Sequence, residues 1–459
     1  MLKTKLRILA LGFVLLLATN VSIAQEHSQD TTVRYDAYGQ KVNRVSMNAE
    51  SRNGILVFES ADQKMKTWFD LRVNFDGAHY FDQDAYNELG SGLTIRRLRF
   101  AMKTILYDHW TGEVDLNFAG GALDVKDAFI GYKTGASNWI FKAGYFKEPI
   151  SMETTTTSRY QTFVEEPFMT SFAPARQIGL NATKYGEKYL LVGGIHFNDV
   201  ENLEVTTYTE DDNKANGTDE GYSLTGKGVF RPINNDNTIV HLAVAGSYRT
   251  PKTSWEIPNA YRISMRDMTS ISRKKYLDTD DITNVESYTL LAGELSAAHK
   301  NMRFSSEYIQ TNVTREGELG TFKASGMYAA VSYLIFGGKY NYNDEEGEFA
   351  QVSRGKEWGD VEVAFRYDYV NLNDKDAQIY GGSANGYTAG VTYHANPNVK
   401  FMLNYSYINH DRYASGKGKL FVGLDADGVP TKDFTKVVDE NGTSGDDYGF
   451  IQARIEIDF

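Results

Sequence analysis

Arg97, Arg99 and Lys103 fall on one parity of the segment 93–107, together with Ala101 and Ile105, while Leu98, Phe100, Met102 and Leu106 fall on the other. Alternate residues of a strand share a face, so a strand here carries a row of cations on one side and oil on the other. Guanidinium groups attract anions and grip phosphate or carboxylate with two parallel N–H donors. Lys142 and Lys147, at the end of a later strand, extend the same chemistry. The segment 147–175 then carries Glu153, four consecutive threonines at 154–157, Arg159, Glu165 and Glu166, and Arg176 follows it. If it folds into a lumen it forms the constriction, with Arg159 and Arg176 lining it. The alternative is that Arg159 pairs with Glu165 or Glu166 and only fastens the loop to the wall. Arg96 has the opposite parity and is expected near the rim.

Carboxylates complicate the picture. Asp70, Asp76, Glu113, Asp115, Asp360, Glu362, Asp368, Glu456 and Asp458 share the inward parity. They either repel anions or pair with the arginines across the wall. The formal net charge is −12, from 48 Lys plus Arg and 60 Asp plus Glu, which argues against a nucleic-acid partner. The basic stretch Arg262, Arg266, Arg273, Lys274 and Lys275 lies in the long 250–284 link, as an anion funnel or as plain solvated charge.

Other chemistries are poorly supplied. Cysteine is absent, which removes disulfides, thiolate metal sites and Cys nucleophiles. The eight histidines are scattered without metal-ligand spacing, and the acidic loops 209–220 and 425–433 lack EF-hand spacing. Neither G-x-S-x-G nor a P-loop occurs. We therefore expect no metal, no cofactor and no enzymatic activity. An outer-membrane barrel enzyme of lipase or protease type, or a secreted soluble β-protein, are the alternatives.

The elements that carry these residues are strands. There are 30 Tyr, 25 Phe and 41 Gly against 8 Pro in 459 residues, a strand-favouring composition. Lys3, Lys5 and Arg7, an apolar run over 8–18 and Ser22-Ile23-Ala24 form a signal peptide with cleavage predicted after Ala24. Residues 25–64 are polar and without period, and read as a flexible arm or plug segment. From there to 459 the chain reads as about 16 alternating segments, near 66–80, 93–107, 110–118, 124–133, 138–146, 176–183, 188–198, 221–230, 238–249, 285–298, 301–313, 322–336, 358–370, 385–395, 398–410 and 447–459. Many are long enough to cross a bilayer at a tilt.

Short links at 107–109, 135–137, 232–237 and 396–397 contrast with long ones at 147–175, 199–220, 250–284, 337–357 and 411–446. Short periplasmic turns and long extracellular loops are the pattern of an all-β, transmembrane antiparallel barrel. About 16 strands enclose too much space for a side-chain-filled soluble barrel. Once that barrel is accepted the cations must face its lumen, because an Arg or Lys facing lipid at mid-depth costs roughly 2–4 kcal/mol. The chain closes on an alternating strand ending in Phe459. That terminal aromatic resembles the signal read by the barrel-assembly machinery of the Gram-negative outer membrane, with lipid as the other partner.

The order Arg96-Arg97-Leu98-Arg99-Phe100, Glu113-Val114-Asp115-Leu116-Asn117-Phe118, Lys126-Asp127-Ala128-Phe129-Ile130-Gly131-Tyr132, Lys142-Ala143-Gly144-Tyr145-Phe146-Lys147-Glu148-Pro149, Ser158-Arg159, Phe163-Val164-Glu165 and Arg176-Gln177-Ile178-Gly179-Leu180 resembles the phosphate-selective porin O/P family. The motifs cover about 95–183; the remainder agrees in strand rhythm and the final Phe. The resemblance implies a trimeric 16-stranded outer-membrane porin passing small anions such as phosphate along a basic lumen.

Overall fold

The computed structural model describes residues 34–35, 38–42, 45–81, 85–121, 123–197, 221–251, 257 and 259–459. The signal-peptide segment and the acidic stretch 209–220 lie outside them. Two units separate, Met1–Ser46 and Met47–Phe459. The described part of the first contains a short antiparallel pair, Arg34–Tyr35 with Lys41–Val42.

Alternation of oily and polar side chains sets the strands of the second unit. They are β1 (Met65–Phe81), β2 (Gly92–Leu106), β3 (Trp110–Asn117), β4 (Asp124–Lys133), β5 (Trp139–Lys147), β6 (Arg176–Tyr185), β7 (Tyr189–His196), β8 (Ser223–Asn234), β9 (Thr238–Arg249), β10 (Val285–His299), β11 (Met302–Arg315), β12 (Phe322–Leu334), β13 (Asp360–Asp374), β14 (Ile379–His394), β15 (Val399–His410) and β16 (Tyr448–Asp458). Each pairs antiparallel with its neighbours in sequence, and β16 returns to β1, from Gly449↔Phe81 to Asp458↔Arg72, closing a 16-stranded barrel. Closure satisfies the edge hydrogen bonds that lipid cannot.

Residues 47–60, read from sequence as part of an arm or plug, are instead a hairpin. Met47–Arg52 pairs with Ile55–Ser60, and Val57, Phe58 and Glu59 pair with Trp68, Thr67 and Lys66 of β1. Those β1 residues precede its pairing with β16, so the hairpin extends the wall.

The ends of the barrel differ from expectation at one place. Length alone groups the 337–357 link with the long loops of the far end. It joins β12 to β13, and alternation of ends along an up-and-down barrel puts it beside the turns 107–109, 134–138, 186–188, 235–237, 300–301 and 395–398. Within it, Tyr342–Asn343 pairs with Glu348–Phe349 as a small hairpin.

Polarity along the long strands inverts partway. In β11, Met302, Phe304 and Tyr308 point outward and Glu307 inward; further along, Gln310 and Asn312 point outward while Ile309 and Val313 are fully buried inside. In β13, Asp368 gives way to Val370 and Leu372 on the inner face, and in β15 Ser406 gives way to Ile408. Polar outside and apolar inside is the pattern of a wall that meets water on its outer face. The inner apolar face of these strands is covered by Ile150, Phe168, Met169 and Phe172 of the 148–175 loop, and by Ile263, Met265, Met268, Tyr276 and Leu277 of the 250–284 loop. In the latter loop the apolar residues face in, whereas Arg262 stays at the surface against Asp278 (2.6 Å).

Gly326 on β12 makes the contact possible. A Cβ there would stand 3.1 Å from Met169 Cβ and 3.1 Å from Phe172 Cε2. Gly326→Val is therefore expected to push the turn Phe168–Phe172 off the wall at about 1–3 kcal/mol of overpacking. A lowered temperature for loss of the folded-barrel band on unheated gels would report it; an unchanged temperature would show that the loop yields freely.

Candidate functional site

Why both Arg96 and Arg97 face the lumen follows from a bulge. Asn74 of β1 pairs with Arg97, but the next residue, Phe75, pairs with Ile95, leaving Arg96 as the extra residue. A bulge puts two residues opposite one and resets parity. Arg96 is thus not a rim residue of the outward face: its Nε donates to Glu165 Oε1 at 2.8 Å. The sequence carried a signal for this. Apolar residues sit at 93 and 95, then at 98, 100 and 102, so the period of two slips by one between Ile95 and Leu98.

The 148–175 loop crosses the lumen and is tied at both sides. Near its start, Ser151 caps the short helix Met152–Thr155 by accepting from Thr154 N–H (3.1 Å). The wall glutamates complete the helix start. Met152 N–H donates to Glu294 Oε1 on β10 (3.0 Å), and Glu153 N–H donates to Glu307 Oε1 on β11 (2.8 Å). Carboxylates at a helix N-terminus satisfy donors that the helix leaves open. Lys147 Nζ donates to the carbonyls of Thr155 (3.1 Å) and Thr156 (2.9 Å) at the other end of that helix.

On the opposite wall the partners of the loop differ from the pairing considered from sequence. Arg159 pairs with Asp70 of β1 and Asp458 of β16, neither Glu165 nor Glu166. Glu165 pairs with Arg96 (2.8 Å) and with Arg454 of β16 (2.9 Å), and Arg454 is forked onto Asp76 (2.7 Å to each oxygen). Glu166 accepts from Gln161 Nε2 at 2.6 Å. Burial opposes ionisation of Glu165, yet the Arg96 and Arg454 guanidiniums hold its carboxyl well below the usual carboxylate range. Arg159 is buried too, but Asp458 and Asp70 raise it further above its already high value. Glu153 lacks so close a cation, and burial pushes its carboxyl up.

Between this loop and the wall of β1–β7 lies a cavity of about 270 Å³. Arg99, Lys103, Lys142, Lys147, Arg159 and Arg176 all line it, as does Arg72. Arg97 is not among its lining residues: it is 4% exposed, beyond the same stretch of wall. Three carboxylates, Glu113, Asp115 and Asp127, converge within 4.8 Å of one another. Each faces a cation. Lys103 stands 3.2 Å from Glu113, Arg99 3.6 Å from Asp115 and Arg176 2.7 Å from Asp127. Lys142 has no such partner among the described residues; its ammonium lies 4.4 Å from the centre of the Phe129 ring.

Several donors remain open. Arg97 Nε and Nη1, Arg99 Nε and Arg454 Nη1 are buried with no acceptor among the described residues. Buried N–H groups without acceptors are costly, more so on a charged group. The cavity's basic residues outnumber its acidic ones, a charge balance suited to small anions. Sequence reasoning passed over Arg72, which lines the cavity, Arg96 and Arg454, which hold the Glu165 carboxylate, and Arg366, which donates to the Glu165 carbonyl at 3.0 Å. Arg72, Arg366 and Arg454 sat on correctly read inward faces, so parity alone would have found them.

Known proteins resemble the chain at two levels. An uncharacterized protein of Caulobacter vibrioides is 25% identical over 330 residues, 70% of this chain and 64% of that one. The chain thus spans under two thirds of that relative's length. Among solved structures, the anion-selective porin of Comamonas acidovorans superposes with a TM-score of 0.51 at 13% identity, covering 86% of this chain and 100% of that one. The trimer form of the outer-membrane protein OmpT of Vibrio cholerae gives 0.50 at 10% identity, covering 86% and 99%. At such identities the likeness is one of fold. Residues 69–425 match the phosphate-selective porin O and P family, and this chain, a 16-stranded barrel of the outer membrane, belongs to that family.

Proposed function

We propose that the chain is a porin that passes small anions, phosphate among them, by passive diffusion past the 148–175 loop, which forms the constriction. Family membership supports the channel reading, and the cavity's cations, with open donors on Arg97 and Arg99 beside it, support the anion preference. Arg99, Lys103, Lys142, Lys147, Arg159 and Arg176 line the path, and Arg97 adds to its field. Conduction needs neither cofactor nor turnover, so the protein acts as a channel and not as an enzyme. The N-terminal 24 residues direct export, the barrel inserts into outer-membrane lipid after recognition of Phe459, and three copies assemble.

Single-channel current in a planar bilayer across a KCl gradient tests the reading. We expect a reversal potential that favours chloride, with phosphate added to one side blocking the current. A cation-favouring potential without phosphate block would leave a porin but remove its anion preference. Well-folded protein that passes no current would remove both.

A further inference from the structure

The turn 335–359 enters the barrel from the short-turn end and reaches far across it. It leaves from β12 and β13, and its tip contacts β4 and β8. Glu345 Oε1 accepts from Lys133 Nζ at 2.5 Å, and Asp344 accepts from Asn234 Nδ2 at 2.9 Å. In a ring of 16 strands β4 lies across the barrel from β12. Tyr340 and Phe349 of the turn pack with Met152 of the 148–175 loop, so the two inserted segments meet in the lumen.

The tip carries Asp344-Glu345-Glu346-Gly347-Glu348. Burial, with Glu346 beside it, raises the Glu348 carboxyl to about 8. Glu345 and Glu346 line the same cavity as Lys142, Lys147 and Arg176. Glu345 is bridged to Lys133. Glu346 is exposed and has no cationic partner among the described residues.

Resting on the anion-pore reading above, we propose that Glu345 and Glu346 are selectivity-determining residues that make the pore electrically asymmetric, with a basic chamber followed by an acidic exit at the short-turn mouth. An anion in the chamber is attracted by the wall and must then pass two carboxylates. Such a charge sequence conducts unequally in the two directions when the charges are unscreened. Screening removes the effect, since the Debye length falls from about 10 Å at 0.1 M salt to about 3 Å at 1 M.

The test compares wild type, Glu346→Gln and Glu345→Gln/Glu346→Gln in planar bilayers, the protein being added from one side. At about 0.1 M KCl the wild type is expected to carry roughly twofold different currents at equal and opposite voltages, and nearly equal currents at about 1 M. Glu346 makes no hydrogen bond or ion pair among the described residues, so Glu346→Gln tests its charge, including its push on Glu348, without breaking a contact. It should move the low-salt currents toward equality and the reversal potential further toward anions, and the double variant should do so more strongly. Equal currents in the wild type, or rectification unchanged in both variants, would overturn the proposal while an anionic reversal potential kept the pore reading intact. A cationic reversal potential in the wild type would overturn the pore reading itself, and this inference with it.

Discussion

Replacing Lys142, Lys147 and Arg176 together with alanine is expected to turn the pore from anion-preferring to cation-preferring. Seven basic and six acidic residues line the cavity. The triple change leaves four basic against six acidic, and it frees Asp127 from the guanidinium 2.7 Å away. A charge a few ångströms from a permeating ion contributes about 1 kcal/mol in a partly solvated lumen, or roughly fivefold in local occupancy per charge. Three such losses exceed any residual bias from Arg99 and Arg159, whose own charges stay paired with Asp115 and Asp70. The reversal potential under a KCl gradient should therefore change sign, and phosphate block should weaken by at least tenfold. A potential that stays anionic in folded triple variant would show that Arg97 and its neighbours, not the cavity cations, set the preference.

Glu165→Gln should release the loop that narrows the lumen. The amide keeps the shape of the carboxylate but cannot neutralise Arg96 and Arg454, which meet Glu165 at 2.8 and 2.9 Å. Removing one partner of a buried ion pair costs on the order of 3 kcal/mol because the other charge is left stranded. Asp76 retains Arg454, so the strain falls chiefly on Arg96. The expected record is a larger and noisier single-channel conductance with weaker selectivity, together with faster proteolysis within 148–175. Acid should not mimic the variant. The folded Glu165 carboxyl lies below its ordinary value, so its contribution is complete above the ordinary carboxylate pKa and is lost only as pH falls through the depressed one. Conductance should stay quiet from neutral pH down to about 5, where an ordinary carboxylate is still mostly ionised. Noise appearing near pH 5 in the wild type would mean that Glu165 is not the anchor.

Local alternation is enough to specify the barrel. Period-two alternation located each of the 16 strands of the ring, because one face must meet lipid and the other must not, and this local constraint is written residue by residue. Parity also assigned Arg97, Arg99, Asp70, Asp76 and Asp115 to the inner face. Where parity slips, at the bulge that turns Arg96 inward, the shift from Ile95 to Leu98 is visible in the residues, but its outcome depends on the pairing with Asn74 and Phe75.

What fills the lumen is set by long-range packing. Which carboxylate meets which arginine is a matter of wall curvature and loop path, so Arg159 pairs with Asp70, 89 residues away, while Glu165 pairs with Arg96 and Arg454. Likewise, the turn 335–359 has the length and polarity of an outer loop; strand order, legible in the sequence, puts it at the short-turn end, but its packing against Met152 inside the lumen is a long-range contact. Pairing across a barrel is a long-range choice among many similar charges, and no local period encodes it.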